Sequence, residues 1–107
     1  MRLVIVESPY AGDVEANIKY ARACVRDSIL RGEAPTASHL LYTQQGILDD
    51  DCFVERKQGI EAGLAWLQAA DASAVYTDRG ISEGMKLGIA RAERFLVPVE
   101  YRVLDQD

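Results

Sequence analysis

Arg2-Leu3-Val4-Ile5-Val6-Glu7 is a nearly continuous apolar run rich in β-branched side chains, the pattern of a strand covered on both faces and therefore of a central strand in a parallel sheet. The loop Ser8-Pro9-Tyr10-Ala11-Gly12 follows it, and Asp13 is placed to cap a helix. That helix carries Val14, Ile18, Ala21, Val25 and Ile29 at the 3.6-residue period. Gly32 supplies its stop.

The same alternation continues downstream. Ala34 to Ala37 predicts a second, weaker strand, leading into Ser38-His39-Leu40-Leu41-Tyr42 and a long loop to about Asp51. Cys52 to about Ala70 predicts a helix with Phe53, Ile60, Leu64 and Leu67 on its core face. Gly59 and Gly63 lie inside that helix, each costing about 1 kcal/mol relative to Ala, which points to close packing or to space kept for a ligand. Ser73 to Thr77 predicts a third strand, Ser82 opens a helix with Met85, Ile89, Ala92 and Leu96 on one face, and Pro98 to Val103 predicts the last strand.

Strands alternating with helical crossovers specify an α/β fold with a parallel sheet. Pro35 and Pro98 demote the second and fourth strands to edges, because proline cannot complete a central ladder. The expected architecture is a Rossmann-like, flavodoxin-like three-layer sandwich of about four parallel strands in the order 2-1-3-4, formed as one domain over residues 1–107.

Composition bounds the function. Of the 107 residues 49% are hydrophobic and 27% charged, ordinary values for a folded globular chain. The formal net charge of −5 argues against duplex nucleic acid as a partner, since backbone binding needs a basic field. No apolar run is long enough to span a membrane and no secretory signal is visible, so the expected setting is the cytoplasm, without membrane association. Cys24 and Cys52 lack the spacing of a metal or redox pair and are expected to be reduced thiols. No cluster suggests a metal site.

In the order 2-1-3-4 the chain leaves the first and third strands toward opposite sides, and a crevice opens between their C-terminal ends. Ser8 to Asp13 and Asp78 to Glu83 border it, and each loop delivers a helix N-terminus, which favours an anion such as phosphate or carboxylate. His39, the only histidine, follows a strand end, where it can touch a ligand, move a proton, or serve as a hydrogen-bonded structural group. Ser82 is a helix cap by position, Glu83 complements the helix dipole, and both also face the crevice.

Four segments, Val6-Glu7-Ser8-Pro9-Tyr10-Ala11-Gly12-Asp13, Ser38-His39-Leu40-Leu41-Tyr42, Trp66-Leu67-Gln68-Ala69-Ala70-Asp71 and Ile81-Ser82-Glu83-Gly84-Met85 with Arg91-Ala92 downstream, carry a resemblance. In order and spacing the chain resembles the nucleoside 2-deoxyribosyltransferase and deoxynucleotide N-hydrolase superfamily, in particular a compact branch common in phages and bacteria. The resemblance implies cleavage or transfer at an N-glycosidic bond of a nucleoside or nucleotide: a glutamate attacks the anomeric carbon, an aspartate helps the base to leave, and a tyrosine orients the nucleophile. It further implies a homo-oligomer and no metal or organic cofactor.

Tyr10 falls where this family keeps its orienting tyrosine, and Ser82 and Gly84 fall where its hydrolases hold a 5′-phosphate. The carboxylates do not match. The last residue of Ser-x-Gly-x-x-x-Glu counts to Gly88, and the aspartate three residues before Trp66 counts to Gly63. Glu83 then becomes the leading catalytic acid beside Tyr10, with Ser8, Pro9, Gly12, His39, Ser82, Gly84 and Met85 as ligand contacts. The two glycines are expected to leave open volume beside Tyr10 and the Ser82 helix start. The rival expectation is a nucleotide-binding or sequestering module that does not cut.

Overall fold

A computed structural model describes residues 1–104. Its elements are β1 (Leu3–Glu7), α1 (Val14–Leu30), β2 (Ala34–Thr36), α2 (Ser38–Leu41), α3 (Phe53–Ala65), β3 (Ala72–Tyr76), α4 (Glu83–Arg94) and β4 (Val99–Arg102), with a 3₁₀ turn over Trp66–Ala69 after α3. All strand pairs are parallel and the order is β2-β1-β3-β4. Pro35 pairs with Val4 at one edge and Pro98 precedes β4 at the other, where its carbonyl accepts from Ser73 N–H at 2.8 Å.

Alternation along β1 divides the core in two. Val4 and Val6 pack with Cys24 of α1 and with Ala72, Ala74 and Tyr76 of β3. Ile5 packs on the opposite face with Leu64, Leu67, Ala92 and Val97. One layer is thus α1 and the other is α3 with α4, so Glu7 shares the α3–α4 side with Ile5.

Asp13 caps α1 by accepting from Ala16 N–H, and the chain turns out of the helix at Gly32 with φ +83°. The face that α1 buries differs from the expectation. Asn17, Ala21, Cys24 and Ser28 are buried, whereas Val14 and Ile29 are exposed. Small side chains let the helix approach the sheet, and the two polar ones have partners. Asn17 Nδ2 donates to the carbonyls of Tyr10 and Ala11, both at 3.0 Å, and Ser28 Oγ donates to Glu33 at 2.8 Å.

Beyond α1, the same sheet face is finished by ions. Arg102 holds Glu33 with two 2.8 Å bonds from its two terminal nitrogens, and Tyr76, buried beside it, donates its hydroxyl to Asp27 at 2.7 Å. The Arg102 guanidinium and burial act in opposite senses on Glu33, and the hydrogen bonds win, holding its pKa down at about 2.

Three further expectations about faces are corrected. The predicted Cys52 to Ala70 helix is α3 plus the 3₁₀ turn, and Phe53 is 81% exposed, with Ile60 also exposed. The side of α3 turned inward is instead that of Gly59 and Gly63, where Leu48, Tyr42 and Ser38 come close. Leu96 lies outside α4, 89% exposed at φ +60°, and Val97 takes the core position. No helix of the described residues is long and apolar enough to cross a membrane.

Candidate functional site

A cavity of about 360 Å³ opens over the C-terminal ends of β1 and β3. Its walls come from the β1–α1 loop, α2, the long loop after it, α3 and the start of α4. Among the expected site residues it brings together Ser8, Tyr10, His39, Ser82, Glu83, Gly84 and Met85. Pro9 and Gly12 do not line it. Gly12 stands at φ +99°, a backbone conformation that other residues rarely adopt, so its role is to shape the turn into α1.

The side chains differ in what they can do. His39 Nε2 lies 2.9 Å from Ser8 Oγ, and the Tyr10 ring meets the imidazole edge-on at 6.3 Å between centroids. Burial pushes the His39 pKa down to about 4, so near neutral pH the imidazole is uncharged and can donate or accept. Ser82 caps α4, accepting from Met85 N–H at 3.3 Å, while Met85 itself is buried and anchors the helix start.

Glu83 does not hold the position expected of a catalytic acid. Its side chain is 92% exposed and its carboxylate pairs with Lys86 at 3.1 Å, one helical turn along the surface. The start of α1 likewise loses its promise as an anion site. Asp13 and Glu15 already supply negative charge there and neither lines the cavity, whereas the α4 start does line it with Ser82 and Gly84, its own acid Glu83 being paired with Lys86.

The acid on the cavity floor is Glu7, which the expected site did not include. It ends β1, on the α3–α4 side, and among the described residues none donates a hydrogen bond to its carboxyl. Burial raises its pKa to about 8. A methyl group on Gly88 would sit 2.6 Å from Glu7 Cδ and closer still to its Oε2. Gly88 therefore leaves no open volume: the Glu7 carboxyl occupies it. Gly63 behaves in the same way, since a methyl group there would come within 2.9 Å of Ser38 Cβ and closer to its Oγ. The expected empty space at both glycines is corrected accordingly.

Other lining residues were also missing from the sequence reading, among them Tyr42, Thr43, Asp50, Glu55 and Arg56. Tyr42 ends the Ser38–Tyr42 segment that carries the resemblance, and the others belong to the long loop and the first turns of α3, a stretch without a motif. Trp66 Nε1 donates to the Tyr42 hydroxyl at 3.0 Å and steadies that wall.

The sheet order and the crevice above it define a class, a Rossmann-like α/β fold built on a parallel sheet. A solved structure of the 2-deoxyribosyltransferase from the psychrotolerant bacterium Bacillus psychrosaccharolyticus, described as a biocatalyst for the synthesis of antiviral and antitumoral nucleosides, superposes with a TM-score of 0.67. The match covers 98% of this chain and 74% of that one at 15% identity, a likeness of fold. The chain belongs to the family described as a domain of unknown function, DUF7768, which it matches over residues 2–102. No curated protein matches it in sequence.

Proposed function

We propose that the cavity binds a nucleoside or its 5′-monophosphate and that its chemistry is cleavage or transfer at the N-glycosidic bond of a deoxynucleoside. The observation that carries this reading is a single one: a largely apolar cleft at the ends of β1 and β3 with an acid, Glu7, on its floor. Tyr10, His39 and Tyr42 offer ring surfaces for a planar base. Ser8 and Ser38 offer hydroxyls for a sugar, and the α4 start at Ser82 and Gly84 suits a 5′-phosphate. The fold shared with a 2-deoxyribosyltransferase supports the same substrate class. The reading needs neither a metal nor an organic cofactor, treats residues 1–107 as one domain, and places the protein in the cytoplasm.

Incubation with deoxynucleosides and their 5′-monophosphates, followed by chromatography for free base, tests it. Base release supports the enzyme. Nucleotide binding without release would favour the second reading, a sequestering module, which the solvent-facing Glu83 recommends. Absence of both would refute the nucleotide assignment.

We further propose self-association. The outer side of α3 presents Phe53 and Val54, with Trp66 just beyond, an apolar surface that a second copy would cover.

A further inference from the structure

Position 88 faces the cavity floor from α4, and glycine there is what allows a strand residue to reach it. The helix passes so near β1 that any side chain at Gly88 would overlap the Glu7 carboxyl. Helix α4 accepts the cost of an interior glycine, about 1 kcal/mol relative to alanine, and the space is filled by an acid with no donor directed at it among the described residues. An acid in such a place, lining a cavity and unpaired, is arranged for a ligand and not for the fold.

We propose that Glu7 is the acid of the site, presented from β1 through the gap at Gly88, and that it works in its protonated form by giving a hydrogen bond or a proton to an acceptor atom of the bound base. The inference rests on the nucleoside reading above and names the residue that serves it. As the C1′–N bond breaks, its electron pair stays with the base and the proton of the Glu7 carboxyl passes to the base. Water adds to C1′ and returns a proton to the Glu7 carboxylate. Where no bond is broken, the same proton holds the base as a hydrogen-bond donor.

The charged and titratable groups around Glu7 come from several elements. His39 stands on α2, Tyr10 on the β1–α1 loop, Tyr42 and Asp50 on the long loop, Glu55 and Arg56 on α3, and Glu83 on α4. Strand β3 offers only Ser73 and Val75 on that side. Burial alone accounts for the raised pKa of Glu7, and His39 has already lost its charge well below neutral pH. A pH break near 8 in ligand handling, lost in Glu7→Gln, is therefore the signature expected of Glu7.

The test follows a panel of 2′-deoxynucleoside 5′-monophosphates and the parent deoxynucleosides from about pH 6 to about pH 9.5, reading base release and affinity for the wild type, Glu7→Gln and Gly88→Ala. In the wild type, release falls about tenfold per pH unit above about 8. Glu7→Gln still donates from its amide, so affinity stays within a few-fold and loses its pH dependence, while release falls at least about 100-fold. Gly88→Ala keeps its circular dichroism, since the helix gains a better former and the clash meets only the end of a flexible side chain. It nevertheless loses release as Glu7→Gln does, because the methyl evicts the carboxyl. If nucleotides bind but are not cut, the same pH break and its loss in Glu7→Gln are read in affinity. Wild-type rates and pH profile in Glu7→Gln would overturn the role of Glu7 while leaving the nucleoside reading intact. Failure of the whole panel to bind would overturn both, and the two failures are told apart by whether ligand is bound.

Discussion

Replacing Glu7 with glutamine should make the protein more stable, by an amount that grows as pH rises from about 4.5 to about 8. The folded state holds the Glu7 proton up to about pH 8, whereas an unfolded chain releases it near 4.5. Between those values the native state binds more protons than the unfolded state, so stability falls as pH rises and reaches its full loss above 8. At about 1.36 kcal/mol per pKa unit, the rise from 4.5 to about 8 corresponds to at most about 5 kcal/mol. Because the carboxyl opens on a cavity, water screens part of this, and a gain of about 2 kcal/mol or more is expected for Glu7→Gln near pH 9. Near pH 5 the two proteins should differ little. His39 titrates in the opposite sense: its folded pKa of about 4 lies below the ordinary 6.5, so its contribution is present above 6.5 and lost as pH falls toward 4. Being common to both proteins, that effect cancels in their difference. Urea unfolding at about pH 5, 7 and 9 measures it, with the slope checked for constancy. A difference that does not grow with pH would refute the assignment of a buried, protonated acid to Glu7.

Glu33→Gln should destabilise at neutral pH by about 2 to 4 kcal/mol, since it leaves Arg102 buried against a neutral partner. The wild type should lose that advantage as pH falls from about 4.5 to about 2, which thermal unfolding in acid would reveal. Val4→Ala should cost about 1 to 3 kcal/mol by opening a cavity under α1, and Lys19→Ala less than about 0.5; equal costs by denaturant titration would contradict the two-faced core. Phe53→Asp together with Trp66→Asp should reduce any oligomer to monomer in light scattering with little change in unfolding midpoint, and a wild type that is monomeric at working concentrations would count against self-association. Gly63→Ala should disturb α2 through Ser38, and Ser38→Ala should relieve about half or more of that loss, as a double-mutant cycle would measure.

The parts of this fold legible in the sequence are those set by local rules. The apolar run at Val4 to Val6, the caps at Asp13 and Ser82 and the prolines of the edge strands placed the elements and ordered the sheet. Which face each helix buries was less legible, for a tertiary reason. Hydrophobic periodicity counts Asn17 and Ser28 as outward residues, yet each has a buried partner, the loop carbonyls in one case and Glu33 in the other. Once those bonds are made, Val14 and Ile29 must turn to solvent. Phe53 misled similarly, because the inward side of α3 is chosen by its glycines, which let Ser38, Tyr42 and Leu48 come close, and not by its largest apolar residue.

Glu7 carried a visible signal: a lone acid ending an otherwise apolar strand, at the point where the crevice opens. It was obscured by the expectation that acids in this kind of fold belong to the helices, so that glycine at 63 and 88 read as loss. Contact between elements alters the meaning of those glycines. Each stands where a neighbouring polar side chain has entered the same space, Glu7 against Gly88 and Ser38 against Gly63. The proposed chemistry needs a carboxyl at a place in the cavity, and a strand can deliver it as well as a helix when the facing residue has no side chain. On this reasoning positions 7 and 88 form one unit: a side chain at 88 excludes the present seat of Glu7, and glycine at 88 without an acid at 7 would leave an empty floor. The acid and the gap then have to be read together.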